Sequence, residues 1–180
     1  MNKHDFPKIH FYDQDFVDIY NKTWSWVSSF WVNPSNGEQD TENGLFVYPE
    51  NSKFIVNQFE SIFSTFFLVY SNRNFDACKN IDYFYARQEE NGAIRWKYDA
   101  ATNSPVADSA NPEGVGLPLF AFAEFNLYHK SANKRRIKEV MPTLQKYMAW
   151  LDETFKQENG LYAVPHVASS MINSPREGCY

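Results

Sequence analysis

The sequence predicts an all-α fold, an incomplete double-layered toroid of helical hairpins. Five stretches repeat apolar residues at the three- and four-residue period of a helix. Two of them, residues 54–70 and 117–130, are apolar on nearly every side, which is typical of a helix buried all round. Segments that alternate like half-buried strands are few. We therefore expect inner and outer helices in alternation, long loops, at most short strands and no sheet of any size.

The five predicted helices follow an irregular lead-in at residues 1–11. Asp13 or Asp15 is expected to cap the first helix, and Pro142 is expected to kink or split the last. The second and fourth are the inner helices, while the others are amphipathic and lie outside. Their expected bounds are residues 13–31, residues 52 or 53 to 70, residues 74–89, a fourth helix from 116–118 to about 130, and a fifth from 133 to about 155.

Glu-Asn-Gly occurs three times, at residues 42–44, 90–92 and 158–160. Glycine adopts the left-handed conformation without a Cβ clash, so Asn-Gly after a helical pattern is typical of a helix end. The second and third copies follow predicted helices. We interpret the motif as a repeated stop signal that places loops on one side of a helical scaffold. Residues 94–98 alternate apolar and basic side chains and are expected to be extended.

Composition excludes several classes of function. The 180 residues carry a net charge of −5, and the basic run 134–136 is interpreted as a solvated face rather than a nucleic-acid patch. Two cysteines do not form a disulfide framework, and the four histidines show no metal-ligand spacing. Residues 1–7 lack the apolar region of a signal peptide, and the apolar run 63–70 is too short to cross a bilayer. We expect a cytoplasmic protein without cofactor, metal, nucleic acid or membrane partner.

Carboxylates and aromatic rings remain, and together they favour carbohydrate chemistry. Aromatic residues make up 18% of the chain, and a ring stacks on the apolar face of a pyranose. Glycoside hydrolysis uses one carboxylic acid and a second carboxylate. Glu60 is either an acceptor for sugar hydroxyls or a first-turn glutamate favoured by the helix dipole. Glu124 is either a pocket residue or half of a buried pair with Lys or Arg.

Two further groups are candidates for the site. Trp96 is either a stacking platform for a sugar or a lid over the core. Arg176, with Asn173 and Ser174, either binds a polyol or forms a turn before Pro175.

Five motifs in collinear order, between residues 54 and 176, resemble the clan of trehalases, processing α-glucosidases and mannosylglycerate hydrolases. These are inverting glycosidases with an (α/α)6 barrel. The motifs are Phe54 with Gln58-Phe59-Glu60-Ser61, Phe84-Tyr85-x-Arg-Gln88 before Asn91-Gly92, Asn111-Pro112 with Leu117-Pro118-Leu119, Leu144 with Trp150-Leu151, and Ser170 to Arg176.

The resemblance implies a site. Phe59-Glu60-Ser61 matches the family's Trp-Asp-Ser/Thr, whose aspartate binds the sugar. Ser170 to Arg176 matches Ser-Gly-x-Asp-Asn-Ser-Pro-Arg, whose aspartate is the general acid. Here that position is Ile172, and Glu177 is a weak substitute. The expected substrate-binding residues are Phe59, Glu60, Trp96, Asn111, Asn173 and Arg176.

The expected function is that of a carbohydrate-active domain, residues 1–180, forming the N-terminal half of the barrel. The intact parent would be an inverting O-glycosidase of trehalase or α-glucosidase type, and the chain by itself would be inactive. Two alternatives stay open: a non-catalytic sugar-binding pseudoenzyme, and a helical interaction module. The expected partners are a small sugar or disaccharide, and either the missing C-terminal half or a second copy, because lone inner helices expose a large apolar edge.

Overall fold

A computed structural model describes residues 6–40, 42–47, 49–50, 53–71 and 74–169. These ranges contain five α-helices and six short strands. The helices are α1 Gln14–Ser29, α2 Gln58–Leu68, α3 Lys79–Tyr85, α4 Phe120–Ser131 and α5 Lys134–Phe155. The strands are β1 Trp31–Val32, β2 Leu45–Phe46, β3 Pro49–Glu50, β4 Lys53–Asn57, β5 Lys97–Asp99 and β6 Ser104–Pro105. Single 3-10 turns lie at Val69–Ser71 and His166–Ser169.

The prediction of an all-α toroid is wrong, because the fold mixes helices with two antiparallel sheets. One sheet pairs β1 with β2, and the other has the order β3-β4-β5-β6. The four-stranded sheet lies between α1 and α4 in the chain, where the sequence predicted no sheet of any size. With the toroid, the assignment of residues 1–180 to half of an (α/α)6 barrel is also withdrawn.

Strand β4 shows why the helical prediction failed. The helical pattern was extended back to residue 52 or 53, but Lys53–Asn57 is a strand whose Val56 faces Tyr98 of β5. Ile55 and Val56 are β-branched, and such side chains favour a pleated sheet over a helix. Asn57 then ends the strand and caps α2, since its side-chain oxygen accepts a hydrogen bond from the Phe59 N–H at 2.9 Å.

Other helix bounds moved for related reasons. Asp13 caps α1 as predicted, with its side chain accepting from the Asp15 N–H. The helix ends at Ser29, because Trp31 and Val32 pair with β2. Helix α3 is half the predicted length. Helix α5 runs unbroken past Pro142, so the proline does not split it.

The main apolar cluster joins the sheet to four helices. Ile62 of α2, Phe84 of α3, Tyr98 of β5, Phe120 of α4 and Tyr147 of α5 are each at most 2% exposed. Helix α2 packs against α3 and α4, and α4 packs against α5. A second cluster, around Trp24, Trp31 and Phe75, joins α1 to the end of α2.

Two of the three Glu-Asn-Gly copies form the same turn. Gly92 and Gly160 have φ values of +97° and +81°, and each preceding asparagine accepts from the N–H two residues on, at 2.9 and 3.0 Å. In both turns, the carbonyl of the residue after the glycine accepts a hydrogen bond from the backbone N–H of the residue four positions before it. Gly44 lacks a positive φ. The motif therefore marks two equivalent turns, which lie a few residues beyond α3 and α5 rather than at their last turn.

Candidate functional site

A cleft of about 370 Å3 lies at the N-terminus of α2. We call it the main cleft. Four parts of the chain build it: the start of α2, the segment entering β5, the loop before α4, and the 3-10 turn near residue 166. Its walls are Asn57, Gln58, Phe59, Glu60, Ile62, Trp96, Lys97, Asp108, Gly116, Leu117, Leu119, His166 and Val167.

The start of α2 supplies the exposed polar rim of the main cleft. Asn57 is fixed by its capping bond, and Glu60 lies in the first turn of the helix. A carboxylate there is stabilised by the unpaired N–H groups and the dipole of the helix. Both interpretations of Glu60 are therefore compatible with its position: it suits the dipole, and it lines the cleft. Phe59 beside it is 41% exposed.

Trp96 is held in the cleft wall by its backbone. Its N–H donates to the Gly114 carbonyl at 2.7 Å, and its carbonyl accepts from the Gln58 N–H, also at 2.7 Å. The Lys97 ammonium lies 4.7 Å from the centre of the indole ring, within range of a cation–π interaction. The indole N–H is buried and has no hydrogen-bond partner among the described residues. The ring is thus a fixed wall with a cation over one side.

The cleft floor rests on a buried polar pair. Gln58 is 2% exposed, and its side-chain amide donates to the Tyr147 hydroxyl at 3.4 Å. Burial raises the pKa of Tyr147 to about 12, although the bond from Gln58 opposes the shift. A Cβ on Gly116 would overlap the Gln58 side-chain oxygen, so any larger residue there would displace the Gln58 amide. The phenol stays neutral at physiological pH and serves as a structural hydrogen-bond partner.

Three charged or titratable wall residues were missed by the sequence interpretation: Lys97, Asp108 and His166. Asp108 accepts from the Ala110 N–H at 2.8 Å and so closes a turn in the loop before α4. The Asp-x-Ala spacing is typical of such a turn, but nothing in it predicts a cleft. Lys97 was read only as part of an alternating strand. With Glu60, these residues give the main cleft two carboxylates and a cation.

The remaining predicted site residues lie elsewhere. Asn111 is 1% exposed, and its side-chain amide donates to the Val115 carbonyl and accepts from the Val115 N–H, at 2.8 and 3.1 Å. It shapes the loop before α4 and is not a wall of the main cleft. Ile172, Asn173, Arg176 and Glu177 lie outside the described residues.

Glu124 forms the buried pair that was one of its two interpretations. It is 2% exposed on α4, and its oxygens accept from Nε and Nη2 of Arg136, each at 2.8 Å. The Tyr85 hydroxyl donates to it at 3.0 Å. Burial, and then the Glu124 carboxylate, raise the pKa of Tyr85 well above its usual range. The cluster joins three helices, because Tyr85 lies on α3, Glu124 on α4 and Arg136 on α5.

The described residues contain neither a metal-binding cluster nor a membrane-spanning helix. No three His, Cys, Asp or Glu side chains in these ranges are grouped so that they would hold a metal ion. Among the described helices, none combines the length and apolar character required to cross a membrane.

The chain is similar to an uncharacterized protein of Borreliella burgdorferi strain B31, with 45% identity over 181 residues. The match covers 100% of this chain but 37% of the relative, so the chain spans little more than a third of that protein's length. No protein-family model and no solved structure matches the chain.

Proposed function

We propose that the chain is a carbohydrate-binding domain of glycoside-hydrolase type, and that a small sugar or disaccharide binds in the main cleft. One observation carries the proposal: the cleft brings together Phe59, Glu60 and Trp96, three residues that were selected from the sequence for sugar binding. They come from positions almost forty residues apart and lie on different elements.

The chemistry of the walls suits a polyol. Aromatic rings contact the apolar faces of a sugar, while carboxylates and amides accept and donate hydrogen bonds at its hydroxyls. Glu60, Asp108 and Asn57 supply such groups on one side, and Phe59 and Trp96 supply rings. The volume of about 370 Å3 lies within the range of roughly 300–1,000 Å3 that is usual for small-molecule sites.

Hydrolysis of a glycoside requires two carboxyl groups beside the scissile bond, one of which donates a proton to the leaving oxygen. The resemblance to inverting O-glycosidases puts Ile172 at the general-acid position, and an alkyl side chain cannot donate a proton. We therefore propose binding without hydrolysis for this chain, in a cytoplasmic setting. Hydrolysis belongs to a longer parent protein, with Glu177 as a substitute acid. Glu60 and Asp108 are the carboxylates that the main cleft itself offers.

Calorimetric titration with glucose, trehalose and glucosylglycerate tests the proposal. Glu60→Gln keeps the size of the side chain and removes its charge, and we expect affinity to fall on the order of tenfold, since a hydrogen bond to a charged group contributes about 1.5–3 kcal/mol. Glu153→Gln makes the same change on α5, outside the cleft walls, and should leave binding unchanged. Absence of saturable binding for all three ligands contradicts the proposal.

A gain-of-function variant separates a degenerate enzyme from a sugar-binding pseudoenzyme. If the site belongs to a glycosidase that lacks its acid, Ile172→Asp in the longer parent protein should release glucose from trehalose or glucosylglycerate above the rate of the unmodified parent. If binding occurs but this variant releases no sugar, the pseudoenzyme alternative holds.

The interaction-module alternative is favoured by one surface. Helices α2 and α4 and the 3-10 turn after α2 expose the rings of Phe63, Tyr70, Phe122 and Phe125 by 41%, 55%, 46% and 59%, and the half-buried Phe66 joins Phe63 to Phe122 through ring contacts of 5.7 and 5.3 Å. We call these five residues the aromatic face. We propose that further polypeptide covers it, as the relative's additional length suggests, or that a second copy does.

A further inference from the structure

A second cleft lies directly beside the main cleft and differs from it in chemistry. Its volume is about 280 Å3. The end of α1, strand β2 and helix α2 form its walls. We call it the aromatic cleft; its walls are Trp26, Val27, Phe30, Phe46, Asn57, Glu60, Ser61 and Phe67.

Four aromatic rings line this cleft in a connected series. Trp26 meets Phe30 edge-on, with ring centres 4.7 Å apart and an angle of 73°. Phe30 meets Phe46 at 5.9 Å, and Phe46 meets Phe67 at 5.9 Å. These edge-to-face contacts hold the rings in fixed orientations. Trp26 is nevertheless 60% exposed, and Phe67 is 38% exposed, so a ligand can reach them.

Asn57 and Glu60 line both clefts and therefore mark their boundary. Asn57 cannot turn away without losing the cap of α2. A ligand that crosses this boundary meets an amide and a carboxylate at its middle, the mixed polar and aromatic walls of the main cleft on one side, and the four rings of the aromatic cleft on the other.

The aromatic cleft has little to offer a second sugar. Apart from the two boundary residues and the indole N–H of Trp26, its polar side chain is Ser61, which is 2% exposed and already accepts from the Asn80 amide at 3.1 Å. Hydroxyl groups placed there would lose hydrogen bonds to water without replacement, which costs free energy. A flat apolar group loses nothing and gains ring contacts.

We propose that the two clefts form one site for an aryl glycoside, with the sugar in the main cleft and the aromatic aglycone in the aromatic cleft. This inference rests on the proposed function, since it takes the main cleft as the sugar subsite. It adds the class of ligand: a glycoside whose second unit is an aromatic ring rather than a sugar.

Titrations with matched methyl and phenyl glycosides of glucose and mannose, in both anomers, test the inference. We expect the phenyl glycoside of the preferred sugar to bind on the order of tenfold more tightly than its methyl counterpart, as burial of a ring gives about 1.5–3 kcal/mol. Trp26→Ala should bring the two affinities to within about twofold and leave the methyl glycoside's affinity unchanged. Phe125→Ala, which removes an exposed ring outside both clefts, should preserve the difference. Circular dichroism and the melting temperature verify that each variant is folded.

The outcomes separate the two proposals. Equal affinity for methyl and phenyl glycosides overturns the aromatic subsite and leaves sugar binding in place. A preference for phenyl that survives Trp26→Ala also overturns the subsite. Absence of binding for every glycoside overturns both proposals.

Discussion

Arg136 donates a hydrogen bond of 2.8 Å to each carboxylate oxygen of Glu124, one from Nε and one from Nη2. The carboxylate is 2% exposed, and the guanidinium also binds Asp82 of α3. Such a fork-on-carboxylate pair is geometrically specific and satisfies a charge that would otherwise be costly to bury. It therefore fixes α5 against α4 and α3 in one arrangement.

Removing one member of this pair should cost far more than removing an exposed pair. Arg136→Met leaves Glu124 buried without its cation, and we expect the free energy of unfolding to fall by about 3–5 kcal/mol. Arg135→Met is the matched control: Arg135 is 88% exposed and pairs with Glu139 at the surface, so its loss should leave the free energy of unfolding almost unchanged. Urea denaturation of both variants gives the comparison. Equal losses would contradict the assignment of Arg136 as the packing cation.

Gly92 and Gly160 form equivalent turns but differ in their surroundings. Alanine at Gly160 meets nothing within 4 Å, so Gly160→Ala should cost only the strain of a positive φ, about 1–2 kcal/mol. At Gly92 the added Cβ would also overlap the backbone carbonyl of Lys146 in α5. Gly92→Ala should therefore cost more than about 3 kcal/mol in thermal or urea unfolding. Equal costs would show that the turn beyond α3 does not pack against α5.

The sequence revealed local signals better than it revealed pairing. Apolar periodicity located five helices, and Asp13 was one of the two residues predicted to cap the first, because these features depend on residues within one or two turns. Strand β4 was missed because it is five residues long and its partner β5 begins forty residues later. A five-residue stretch with three apolar residues in a row next to a helix resembles a continuation of that helix, and only pairing with the distant strand shows otherwise.

The candidate site shows the same limit. Glu60 and Trp96 were identified by residue type and Phe59 by the family resemblance, and all three line one cleft. Asn111 was selected because it belongs to one of the motifs of the resemblance. Its side-chain N–H and its side-chain oxygen, however, both form hydrogen bonds with the Val115 backbone. A sequence shows which residues are polar, but it does not show whether a polar side chain forms its hydrogen bonds with a ligand or with the backbone of its own loop.

Cys78 should be a slow-reacting thiol in the folded protein. Burial raises its pKa from 9.0 to about 12, with nearby Arg136 opposing the shift. In a Cys179→Ser variant, which leaves this single thiol, the pH profile of alkylation by iodoacetamide should have its midpoint near 12 rather than 9. Denaturant should return it to the ordinary value. A native midpoint near 9 would show that the thiol is accessible.

The raised pKa of Cys78 also makes the free energy of unfolding depend on pH. The folded pKa lies above the unfolded one, so the contribution of Cys78 is fully present below pH 9.0 and is lost as the pH rises toward 12. Replacement by serine should therefore flatten the decline of stability between these values. Urea midpoints measured across that range, with and without Cys78→Ser, provide the comparison.

The aromatic face should drive association when nothing covers it. Four exposed rings lie on α2, on the 3-10 turn after it and on α4, and Phe66 joins two of them through ring contacts. Exposed apolar surface of this kind marks an interface or causes aggregation. We expect the chain to sediment as a concentration-dependent oligomer, and Phe122→Glu with Phe125→Glu to shift it to monomer, because each charge would have to be buried at the interface. Leu161→Glu, at a side chain 67% exposed beyond α5, is the control and should leave association unchanged. A stable monomer at all concentrations, or oligomers that persist in the double variant, would contradict a role for this surface.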